Sequence, residues 1–122
     1  MKRVLNLNTL QLDQIEIIGG STEKLQFELV DQDGMPFDVS TSKVIWTASI
    51  IGNKEEPIII KDSEGSDVSI SSRNICTVTI KGSDTMDLKD VKIEHELIIE
   101  KGGETIRPCY GYIYVKQGSK YN

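Results

Sequence analysis

Apolar and polar residues alternate along much of this chain with a period of two. In Glu23–Val30 (EKLQFELV), Leu25, Phe27 and Leu29 fall on one side and Lys24, Gln26 and Glu28 on the other. Strict alternation predicts a strand with one buried and one wet face. The same rhythm predicts strands over residues 14–18, over residues 43–51 with the only tryptophan, Trp46, and over residues 105–117. In Val91–Lys101, Ile93, His95, Leu97 and Ile99 share a face opposite Glu94, Glu96 and Glu100. Cys76, Val78 and Ile80 alternate with Thr77 and Thr79, which suits a half-buried strand. Residues 58–61 and 68–72 make shorter runs. Residues 4–12 alternate only in part, so 1–13 is expected to be an N-terminal arm or edge strand.

Turn signals separate most of these runs. Asp31-Gln32-Asp33-Gly34 offers side-chain acceptors and a glycine tolerant of positive φ, and Pro36 then interrupts any ladder. Gly102-Gly103 fits a hairpin turn. Gly19-Gly20-Ser21-Thr22, residues 52–56 and residues 62–67 read as loops, and Arg73-Asn74 as a bulge, a tight turn or a continuing strand. Residues 81–90 are the one place for a short helical turn, with Ser83 as its cap and Met86 and Leu88 tucked inward. Residues 118–122 are expected to be a loose tail. The reading is an all-β, immunoglobulin-like antiparallel β-sandwich of about seven or eight strands, a single domain over residues 1–122.

Composition narrows the partners. A chain of 122 residues buries roughly two-thirds of its unfolded surface and needs no staple. Its net charge of −5 speaks against nucleic acid and anionic membrane as partners. The start MKRVLNLNTLQLDQ has no unbroken apolar run, so neither a signal peptide nor a transmembrane segment is expected, and synthesis in a cytoplasm follows. Cys76 and Cys109 should then be free thiols, at a spacing that matches no zinc or redox motif.

Candidate chemistry is sparse. His95 is the only histidine, and its strand phase turns it toward the core or its rim rather than toward a nucleophile. Asp31, Asp33 and Gly34 resemble the start of a calcium loop, but Met35 and Ser42 stand where its later ligands belong. Glu94, Glu96 and Glu100, with Glu104 across the turn, read as a wet sheet surface rather than a glycosidase pair. Gly19-Gly20 and Gly102-Gly103 are too short for a phosphate loop. No catalytic, cofactor-binding or metal-binding residue is assigned, and no cofactor is expected. The pattern that stands out is Tyr110, Tyr112 and Tyr114, alternating with Cys109, Gly111, Ile113 and Val115. Tyrosines on the outer side would form a candidate interface or a sugar platform; period two alone does not say which side is inside.

One stretch carries a family resemblance. GGST at residues 19–22, LQFELV, DQDGMPFDVS and KVIWTASI follow one another, and LKDVKIEHELIIEKGGE and CYGYIYVK come later. Over residues 15–115 this order resembles the N-terminal domain of the baseplate upper protein of Gram-positive siphoviruses. The chain departs from that pattern at Lys89-Asp90, where a glycine is usual, and it stops where such proteins often continue into receptor-facing parts. The resemblance implies a non-enzymatic structural domain in a symmetric virion assembly, often trimeric. The expected partners are therefore other virion proteins and the chain itself, and the expected location is the virion. The expected function is a tail or baseplate assembly module acting through protein–protein interfaces. The alternatives are a capsid-decorating or head-fibre base protein, and a carbohydrate-binding module in which the tyrosines, with Trp46, meet a host-surface glycan.

Overall fold

The computed structural model describes residues 2–7 and 11–117. The expected tail at 118–122 lies outside them. Among the described residues nine strands form two sheets packed as a sandwich. The strands are β1 (Lys2–Asn6), β2 (Gln11–Ile18), β3 (Glu23–Val30), β4 (Lys43–Ile50), β5 (Ile59–Asp62), β6 (Val68–Ser71), β7 (Ile75–Ile80), β8 (Val91–Lys101) and β9 (Glu104–Lys116). One short helical turn, α1 (Gly82–Thr85), precedes β8. The sheets run β1-β3-β7-β6 and β2-β9-β8-β4-β5.

The all-β sandwich is as expected, with nine strands among the described residues where about seven or eight were expected. Residues 1–13 contain one edge strand, β1, and the start of another, β2, so the chain changes sheets at its beginning. In addition β1 runs parallel to β3 and β2 parallel to β9, whereas the remaining strand pairs are antiparallel. The hydrophobic pattern fixes which face of a strand is buried. It does not fix the direction of the neighbour, which is set by where the chain crosses between sheets.

The core lies between the sheets and collects the predicted apolar faces. The smaller sheet supplies Leu25, Phe27 and Leu29 from β3 and Cys76, Val78 and Ile80 from β7. The larger sheet answers with Val44, Trp46 and Ala48, then Ile93, Leu97 and Ile99, then Cys109, Ile113 and Val115. Both cysteines are buried and neither forms a disulfide, and burial pushes the Cys76 thiol up to about 12. It is therefore a protonated, unreactive core residue at neutral pH.

The turns are built by local chemistry. Asp31 Oδ1 accepts the N–H groups of Asp33 and Met35 at 2.9 and 3.0 Å, and Gly34 takes φ +80°. That carboxylate is occupied by its own backbone, as a β-turn requires. Ser72 and Arg73 both adopt left-handed φ, so the Arg73-Asn74 region is a tight β6–β7 turn. Helix α1 departs from expectation. Its N-cap is Lys81, whose N–H donates to Asp84 Oδ2 at 2.8 Å, and Ser83 is not the cap. Leu88 packs on the core as expected, but Met86 is exposed. The buried residue here is Thr85, whose hydroxyl accepts the Gly20 N–H at 3.0 Å and ties α1 to the GGST loop.

Edge strand β5 carries an inward charge. Ile59 and Lys61 face in while Ile60 faces out. Lys61 is 8% exposed and donates to Asp67 at 2.8 Å and to Asp84 at 2.7 Å. An inward charge on a short edge strand discourages strand addition from another molecule. The same cluster predicts a pH dependence. The Lys61 hydrogen bond holds the Asp67 carboxyl below its ordinary 3.8, with the Lys61 and Lys81 charges helping. A folded value below the unfolded one contributes stability above about 3.8, lost as pH falls through the folded value. Lys61 itself is raised above 10.5 by Asp67 and Asp84 against its desolvation, so its share is present below that value and lost as pH rises beyond it. Urea midpoints should therefore fall in acid for the wild type and fall less steeply for Lys61→Met. Parallel acid limbs in the two proteins would refute a role for the cluster.

Candidate binding face on the five-stranded sheet

The last strand decides the question that its sequence left open. Cys109, Ile113 and Val115 point into the core, so Tyr110, Tyr112 and Tyr114 line the outer face, each half-buried. Strand register sets their neighbours. Tyr110 stands beside Glu96, Tyr112 beside Glu94 and Tyr114 beside Lys92. One strand further, Glu96 stands beside Thr47 and Glu94 beside Ser49. On the other flank β2 places Gln14 by Tyr112 and Glu16 by Tyr114.

The glutamate row differs from the wet surface expected of it. Glu100 is exposed, but Glu94 and Glu96 are each only 9% exposed. Flanking groups cover them. The Gly52 N–H donates to Glu94 Oε2 at 2.8 Å, which fastens the turn after β4 onto the sheet. Arg107 Nη1 donates to Glu96 Oε1 at 2.9 Å. The same turn carries Lys54, whose ammonium lies 5.3 Å from the centre of the Tyr110 ring, a cation–π distance. Lys92 sits similarly over Tyr112 at 5.5 Å. The Tyr110 and Tyr112 rings are 6.3 Å apart and tilted. A hydrogen bond with Tyr110 is the main cause holding the Tyr112 phenol above 10.

These groups enclose an open groove of about 510 Å³, lined by Lys54, Glu94, Glu96, Arg107 and Tyr110. At its base a recess of about 20 Å³ is reached by Thr47 and Ser49. The alternation of β9 points to Tyr110. Nothing in the sequence points to Lys54 or Arg107, because a turn and a strand register must first bring them there.

Trp46 does not belong to this face. It is fully buried, and its Nε1–H donates to His95 Nδ1 at 3.1 Å, with the rings 5.9 Å apart. The expectation that Trp46 joins a sugar-stacking surface is thus corrected: β4 turns the indole into the core, with Val44 and Ala48. His95 is 2% exposed, and its accepting Nδ1 places the proton of the neutral ring on Nε2.

No protein-family model matches the chain, and neither does any curated protein. Its fold has a solved counterpart in a phage. The chain is similar to the N-terminal domain of phage TP901-1 ORF48, with a TM-score of 0.56 over 95% of this chain and 99% of that one. Sequence identity is 10%, so the likeness is one of fold. It agrees with the all-β sandwich expected from the sequence and covers nearly the whole chain. Among the described residues no helix is long and apolar enough to cross a membrane.

Proposed function

We propose that this protein is a structural module of a phage or prophage virion, placed in the tail or baseplate and working through protein–protein contacts rather than catalysis. The observation that carries this reading is the end-to-end fold likeness to a phage protein domain, joined to the motif order of residues 15–115. A docking patch for such a role lies on the β4–β5 side of the large sheet. Ile60 on the outer side of β5, Ile58 just before that strand and Ile51 in the turn after β4 are 46–60% exposed there, which is unusual for isoleucine on a solvated surface. A partner burying that patch gains hydrophobic energy, and the inward Lys61 keeps the adjoining edge from open-ended strand addition.

Mass spectrometry and immunogold labelling of purified virions test the reading. The protein should be found in virions, with label at the tail end. An Ile60→Asp variant should fold normally yet be depleted from particles by about tenfold, as expected for loss of a buried anchor. Absence from virions would overturn the proposal, and label on the head would replace it with the capsid-decoration alternative. Light scattering reads self-association separately: a trimer lost in Ile60→Asp would place this patch between copies.

A further inference from the structure

We infer that the groove beside Tyr110 is a binding site for a neutral saccharide. This goes beyond the assembly role and uses the face of the same sheet beside the isoleucines, where Thr47 at the groove's base pairs with Ile60.

Three features select that ligand class. The first is an aromatic wall. Tyr110 is half-buried on an interior strand, paired on both sides, and its ring packs against that of Tyr112, which orders it before any ligand arrives. The C–H face of a sugar ring stacks on such a surface, and Tyr loses little conformational entropy in presenting it. The second is the charge balance. The groove holds two carboxylates, Glu94 and Glu96, and two cations, Lys54 and Arg107. Formal charge therefore cancels within it, which favours neither a phosphate nor a basic peptide. Charged groups of both signs instead give strong acceptors and strong donors for the hydroxyls of an uncharged polyol. The third is preorganisation. Glu94 is held by the Gly52 N–H and Glu96 by Arg107, and both are only 9% exposed. Their carboxylates are fixed while the groove above stays open.

The dimensions agree. A groove of about 510 Å³ falls within the usual range for small-ligand sites, and the base recess of about 20 Å³ accepts one water or one hydroxyl. Lys54 is exposed on its turn and lies over the Tyr110 ring. An arriving sugar takes the ring face from the ammonium, which moves aside and donates to a ring hydroxyl.

The test is a saccharide array probed with the purified protein, followed by NMR titration of isotope-labelled protein. The titrants are free galactose, rhamnose and N-acetylglucosamine, any sugar the array selects, and inorganic phosphate as the anionic arm. The expected result is saturable binding with shifts centred on Tyr110, Glu96 and Lys54. Affinity should fall about tenfold or more in Tyr110→Leu and Glu96→Gln, and stay near wild type in Tyr110→Phe and Tyr114→Ala, as for a stacked anchor. Thermal unfolding of each variant separates lost binding from lost fold. Absence of saturable binding to every sugar would overturn the inference, as would binding that survives Tyr110→Leu or phosphate binding more tightly than any sugar. None of these outcomes bears on whether the protein is found in virions, so the two proposals fail separately.

Discussion

Trp46→Phe should destabilise the domain by about 3 kcal/mol, combining the lost indole volume with the lost donor to a buried acceptor. The indole is fully buried in the core beneath β4, and its N–H is the donor to His95 Nδ1. Phenylalanine leaves a void in the core that cannot readily collapse, since strands on both sides hold β4 in register. It also takes the donor from an imidazole that is 2% exposed and has little access to water in exchange. For a domain of this size the loss is a large part of a total of about 5–15 kcal/mol. Urea denaturation measures it. Trp46→Phe combined with His95→Leu should cost less than the sum of the single changes, because the second removes the stranded acceptor. Strict additivity would mean that the hydrogen bond carries no coupling energy.

Gly82→Ala gives the second large effect, and its sign separates two explanations. Helix propensity alone predicts a gain of about 1 kcal/mol at the first residue of α1. The packing predicts the reverse. A Cβ on Gly82 would clash with the Gly20 carbonyl oxygen, which is backbone and cannot swing away. The GGST loop would have to move, and with it the Gly20 to Thr85 hydrogen bond. We expect a loss of about 3 kcal/mol, at the upper end of overpacking costs. Gly65→Ala is the control: its added Cβ would meet only the Asp62 oxygen at 3.6 Å, an ordinary contact, and its unfolding midpoint should barely change. A Gly82→Ala protein as stable as the wild type would show that the loop yields freely.

Gly82 also marks where reading the sequence reaches its limit. The GGST motif was legible as a loop and KGSD as a helical start, but their mutual contact spans more than sixty residues and has no local signature. The inward faces of β3, β4 and β7 were legible because burial there alternates almost residue by residue, and that of β8 from its row of apolar side chains. The parallel placing of β1 and β2 was not, because both partners are set by the path of the chain. At the groove, the tyrosine row could be read from β9, whereas the cover over Glu94 and Glu96 could not. A glutamate alternating with core residues looks solvated until its neighbours across the sheet are known.

The pairing of β2 with β9 has a mechanical consequence. Eight consecutive residues of β2 lie beside eight of β9, running in the same direction, one strand near the start of the chain and the other near its end. A pull that draws β2 backwards along its axis and β9 forwards along its own would slide the two past each other. Every hydrogen bond between them then carries the load together, whereas a hairpin pulled from its open end parts one rung at a time. A domain wired in this way is suited to stand in line with a tensile load.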